Sequence, residues 1–188
     1  VLLVKNEAGY LSLTKLISEL YTENPNQSEP VVRKSQLQGR VDGLIALSGA
    51  QNSDIGMALL AEEADLAFEL LSEWKQLFPN SFYLELQRVG KAEEEDYIEA
   101  AIALALKSDC PVVATNDVRF IDQEDFDAHE VRVCINERRT LDDSRRPLNY
   151  TEQQYLKTAA EMNELFSDIP EALENAWEIV KRCNLSLV

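Results

Sequence analysis

Pro111–Glu130, PVVATNDVRFIDQEDFDAHE, is the stretch that decides how this 188-residue chain folds. Pro111 opens a run of Val112, Val113, Ala114 and Thr115, whose paired valines and small neighbours suit a strand buried on both faces. Polar residues follow at once. Asn116 and Asp117 fall where that strand would end, and in α/β folds ligands bind beyond the carboxyl ends of parallel strands. Asp117 is therefore the first candidate site residue; the alternative is an Asp bonded to its own backbone in a turn.

Working outward, Val1 to Val4 form a strand-like run, and Ala8 to Tyr21 carry Tyr10, Leu13, Leu16, Ile17 and Leu20 at helical spacing, giving a first βα unit. Glu23 to Glu29, ENPNQSE, has the composition of a polar loop. Gly43 to Leu47 is a second buried strand that runs into Ser48 and Gly49. From Asp54 to Phe78 the pattern is helical, stopping before Pro79. Phe82 to Leu86 is a third strand with Glu85 inside it, and Glu93 to Leu106 is a helix whose acidic first turn suits its dipole. With the strand from Pro111, three βα repeats are complete. Gln123 to Ile135 reads as a helix and Glu137 to Asn149 as a charged loop. The remainder reads as helical: Thr151 opens a TEQQ start continuing through Met162, Leu165 and Phe166, and Asp168, before Ile169 and Pro170, starts the last helix. Alternation of strands and helices predicts an α/β fold with a mainly parallel sheet.

Composition narrows the function classes. Thirty-four acidic and 18 basic residues leave a net charge of −16, which repels phosphate backbones and argues against autonomous nucleic-acid binding. Cys110, Cys134 and Cys183 are odd in number and widely spaced, so neither a disulfide framework nor a zinc knuckle is indicated. No apolar run approaches the roughly 18 residues of a membrane span, and the start lacks the pattern of a signal peptide. A cytoplasmic location is the expectation. The chain opens on Val1 rather than Met, in what reads as mid-strand, which suggests an excised domain.

The runs VVATNDVRF (112–120) and EDFDAHEVRVCI (124–135) resemble the PHP domain of the bacterial replicative DNA polymerases, the alpha subunits of DNA polymerase III. NEAGYLSLTKLIS (6–18), GLIALSG (43–49), FYLELQR (82–88) and MNELFSDIPEALENAWEIVKRCN (162–184) are similar in the same order along the whole chain. The resemblance implies a distorted seven-stranded β/α barrel, of which residues 1–188 would supply the centre and end without the N-terminal strands. Residues 151–188 would be helices leading toward a palm domain outside the chain.

Metal-competent relatives hold several ions at the barrel mouth with His, Asp, Glu and Cys, a set that polarises phosphoryl oxygens and activates water. Against that pattern the chain departs at several positions. The expected Asp-x-His is Asp117, Val118, Arg119, and a guanidinium has no lone pair for a cation. Ala50 stands where a Cys is expected, and Val89 where many relatives have His. The resemblance thus implies a vestigial site of Asp117, Arg119, Glu85 and Ala50, with no catalytic residue and no metal in this stretch. Arg119 either neutralises Asp117 through paired hydrogen bonds or points to solvent. Glu85, a charge in an apolar strand, must find a partner or face the barrel mouth.

Other charged groups are weaker candidates. His129, the single histidine, packs or hydrogen-bonds on the helix that carries Glu130. Asp125 and Asp127 are two apart and would point to different sides of a helix, so they do not form a polymerase carboxylate pair. Arg138, Arg139, Arg145 and Arg146 flank Asp142 and Asp143, as a solvated loop with local ion pairs.

Two functions follow from the resemblance. In one, the parent is a DNA-directed DNA polymerase, with magnesium bound in its palm and DNA held by other domains. This domain is then a scaffold packed beside palm and thumb and a docking surface for the proofreading exonuclease subunit. In the other, the chain is a metal-dependent phosphoesterase or exonuclease of the PHP superfamily.

Overall fold

The computed structural model describes residues 1–23 and 31–186. The polar loop expected at Glu23 to Glu29 falls almost wholly outside the described residues. In chain order the main elements are β1 (Leu2–Val4), α1 (Glu7–Glu23), α2 (Lys34–Leu37), β2 (Leu44–Leu47), α3 (Asp54–Leu60), α4 (Ala64–Leu77), β3 (Phe82–Gln87), α5 (Glu94–Ser108), β4 (Val112–Thr115), α6 (Phe126–Glu137), α7 (Ala159–Leu165) and α8 (Pro170–Arg182). Single 3-10 turns at Ala50–Asn52 and Gln123–Asp125 precede α3 and α6.

The strands form one four-stranded sheet in the order β1-β2-β3-β4. β2, β3 and β4 are parallel, with Ala46 opposite Phe82 and Glu85 opposite Val113. β1 is antiparallel to β2, with Leu3 opposite Ile45, so the sheet is mainly but not wholly parallel. The return path explains the reversal. Asn6 turns the chain directly into α1, and the Lys5 amide bonds the Gly43 carbonyl at 2.8 Å, so β2 enters beside the end of β1. A Cβ on Gly9 would overlap that same Gly43 carbonyl, and Gly43 itself has φ +73°. Two glycines let helix and strand backbone touch.

The apolar strands are covered on both faces, as their unbroken apolar runs require. By strand alternation Leu44, Ala46, Leu84, Leu86, Val112 and Ala114 face α3, α4 and α5. Ile45, Leu47, Tyr83 and Val113 face Ile179 of α8. Glu85, on the register of Tyr83, belongs to this second face.

Two long readings break up in the structure. Residues 54–78 are two helices because Glu62 turns left-handed at φ +58° and the Glu63 amide closes onto the Ala58 carbonyl at 2.9 Å. Residues 151–157 are not helical. The Thr151 amide does donate to Gln154 Oε1 at 2.9 Å, half of a capping box, but the chain is then drawn alongside β4's exit. Phe120 bridges Tyr155, and Asn116 Nδ2 donates to the Gln153 and Tyr155 carbonyls at 3.1 and 2.6 Å. Helix starts only at α7, capped by Thr158 and Glu161.

α8 begins with Pro170 in its first turn and Ile169 as cap, so Asp168 does not cap it. The Asp168 carboxylate instead receives both Nη groups of Arg88, at 2.6 and 2.9 Å, and Arg88 also donates to Glu95 and the Leu165 carbonyl. Farther along α8, Asn175 Nδ2 donates to the Val112 carbonyl at 2.9 Å and Arg182 to the Tyr83 hydroxyl at 2.6 Å. No described helix is long and apolar enough to cross a membrane.

Candidate functional site

The carboxyl ends of β2, β3 and β4 bring the expected residues into two polar networks. The first is centred on Glu85, only 3% exposed. Its Oε1 accepts the Thr115 hydroxyl at 2.5 Å and Gln87 Nε2 at 3.1 Å, and its Oε2 accepts the Gly49 amide at 3.0 Å. Gln87 Nε2 also reaches Thr115 Oγ1, at 3.1 Å. Neighbouring strands thus supply neutral donors to both carboxylate oxygens, which offsets the cost of burying the charge.

The backbone of Glu85 is equally committed. Its amide donates to Ser48 Oγ at 2.9 Å, and its carbonyl accepts the Tyr97 hydroxyl at 2.8 Å. Burial pushes the Tyr97 phenol up from its ordinary value, so it remains a neutral donor. Gly49 and Ala50 have φ +97° and +52°, a left-handed pair that aims the Gly49 amide at Glu85 and leaves the Ala50 methyl buried. The methyl offers no donor atom.

The second network surrounds Asp117, which adopts φ +41° just past β4. Arg119 Nη2 lies 2.7 Å from Oδ1, Gln154 Nε2 donates to Oδ2 at 2.7 Å, and Lys91 Nζ stands 3.8 Å from Oδ2. The Arg119 amide donates to the Gln154 carbonyl at 2.8 Å, and its guanidinium lies 5.3 Å from the Tyr150 ring centre. Arg119 thus makes a single contact with Asp117 instead of the paired hydrogen bonds of the first alternative, and its side chain stays 43% exposed.

Val89 lies apart from both networks: its side chain is fully buried, and its amide donates to the Glu94 carboxylate at 3.0 Å. His129 packs against Phe120 and Tyr150, with Nδ1 3.7 Å from Glu130 Oε1. Arg145 pairs with Asp143, while Arg146 turns back to the buried Glu130. Gln87, Thr115, Lys91 and Gln154 are partners that sequence reasoning missed. Gln87 carried a signal, being two residues from Glu85 on the same strand face.

A family model for the PHP domain matches residues 1–89, a range that includes Ala50 and Glu85 but not Asp117 or Arg119. The chain is 53% identical over 186 residues to the DNA polymerase III subunit alpha of Pseudomonas aeruginosa. This chain carries a PHP domain homologous to DNA polymerase III alpha subunits. The corresponding subunits of Escherichia coli K12 and Vibrio cholerae are each 48% identical, over 185 and 186 residues. These alignments cover 98–99% of the chain but only 16% of each relative. The chain therefore spans about one sixth of the length of the proteins it matches.

Proposed function

We propose that this PHP domain works within a longer DNA-directed DNA polymerase as a non-catalytic scaffold and docking surface for the proofreading exonuclease subunit. Nucleotidyl transfer and its magnesium ions belong to a palm domain outside these residues, and other domains hold the DNA. Such a polymerase acts in the bacterial cytoplasm. The four-stranded sheet is, in this reading, one arc of the seven-stranded PHP barrel.

The observation that carries the reading is how the carboxylates are occupied. Both oxygens of Glu85 accept neutral protein donors, and Asp117 holds Arg119 and Gln154. A multi-metal phosphoesterase site needs several carboxylate, His or Cys ligands with free lone pairs converging on one point. Among the described residues no three such groups do so. This donor set does not fit a metal cluster, and no phosphoester chemistry is derived from it.

Elemental analysis after incubation with excess manganese or zinc, followed by a manganese-dependent phosphoester hydrolysis assay, tests the reading. The expected result is no retained metal and no hydrolysis. Near-stoichiometric metal with hydrolysis that persists through purification would overturn it and establish the metal-dependent phosphoesterase instead.

A further inference from the structure

Beside the exit of β4, one side of α6 and the residues that follow the strand enclose two adjoining cavities of about 440 and 730 Å³. Ala128, His129 and Arg132 lie three, four and seven positions beyond Asp125, so they share that side of the helix. Val118 to Ile121 form the facing wall of the smaller cavity. Val118, Arg119, His129 and Arg132 line both cavities, and the two meet along them. The wall is apolar and open: Val118 and Ile121 are 45% and 64% exposed, over the buried Phe120 ring.

The charge of this groove departs from that of the chain. Acidic residues outnumber basic ones 34 to 18, yet Arg132 enters no ion pair among the described residues. Arg119 gives one Nη to Asp117 and still lines both cavities. The carboxylates in the lining are engaged: Asp125 Oδ2 accepts the Asp122 amide at 3.1 Å, and Glu137 lies 4.0 Å from Arg139. A single carboxylate can take the fork of Arg132 with support from Arg119. A polyanion such as a nucleic-acid strand would also meet Asp125, Glu137 and the net charge of −16. We propose that the groove binds an aliphatic carboxylate of the fatty-acid class. Its head lies between Arg119 and Arg132, and its tail covers Val118 and Ile121 above Phe120. The smaller cavity alone falls within the roughly 300–1,000 Å³ of small-molecule sites. A carboxylate held by guanidinium groups needs no metal, so the site stands whether or not the domain is a scaffold.

The test is an NMR titration of the isotope-labelled 188-residue chain with decanoate, kept below micelle formation. Its controls are acetate, the head without the tail, and decyltrimethylammonium, the same tail under the opposite charge. Saturable shifts at residues 118–121 and 128–132, and at the Arg132 side-chain Nε, are expected, with each control about tenfold weaker. Arg132→Gln and Ile121→Ser should each also weaken decanoate about tenfold. Both side chains are exposed, so the amide spectrum of each variant should otherwise be retained. Acetate binding as tightly as decanoate would reduce the groove to a simple anion site, and decyltrimethylammonium doing so would reduce it to an unspecific apolar patch; either overturns the proposal. Insensitivity to either variant, shifts confined elsewhere, or no shifts would do the same. So would sedimentation showing that a second copy of the chain covers the groove.

Discussion

Arg119 is the residue whose replacement is most informative. Changing it to Ala removes the 2.7 Å pair with Asp117 and the contact with Tyr150, leaving Gln154 and a more distant Lys91. Because the guanidinium is well exposed, solvent screening holds the loss to about 1 kcal/mol, a fall of roughly 2–4 °C in the thermal midpoint. An unchanged midpoint would mean that Arg119 does not hold the site. Glu85→Ala should cost more, about 2–3 kcal/mol, since it takes the acceptor from the half-buried Gly49 amide and Thr115 hydroxyl, while Gln87 keeps its bond to Thr115. Equilibrium urea unfolding measures that difference. Glu85 was legible in the sequence because a carboxylate between Leu84 and Leu86 cannot be left unpaired. Gln154 was not: it lies 37 residues from Asp117 in a polar run, and only tertiary packing makes it fully buried.

Among the elements, α1 needs the bare backbone of Gly9 where it meets the start of β2. Gly9→Ala drives a methyl into the Gly43 carbonyl, and overpacking of this kind costs about 1–3 kcal/mol, read again as a shifted unfolding midpoint. A variant as stable as the parent would show that α1 can lift off β2. α7 instead depends on its cap. The Tyr155 hydroxyl, then the Thr158 hydroxyl and amide, hold the Glu161 carboxyl down at about 2 from an ordinary 4.5. A depressed carboxyl stabilises above its ordinary value and ceases to do so as it protonates, so the start of α7 should loosen as the pH falls from 4.5 toward 2. The protection factors of the amides of residues 158–164, that is their exchange rates relative to the unstructured rate at each pH, should fall over that window and stay flat above it. The strand and helix order was readable from apolar spacing, whereas the false helix at Thr151 was not avoidable by local pattern alone. Both Thr151 and Thr158 head a T-x-x-E/Q box, and Asn116, far away in sequence, decides between them by taking the backbone of the first.

On the scale of the whole molecule, the parallel core was legible and the direction of β1 was not, because a strand's own residues do not encode which way its neighbour runs. The charge of −16 was visible from composition and makes its own prediction. Self-repulsion should be relieved by salt, so the thermal midpoint should rise between low ionic strength and about 0.15 M, where the screening length is about 8 Å. A fall would mean that ion pairs such as Arg88 with Asp168 outweigh the repulsion. Those same bonds have a mechanical meaning. Asp168, Asn175 and Arg182 fasten the last helix to the β3 exit, the β4 entrance and the β3 entrance respectively. Tension applied along α8 would therefore load all three fastenings together in shear instead of unzipping them singly, and the helix would serve as a stiff handle through which movement is passed to the sheet undamped.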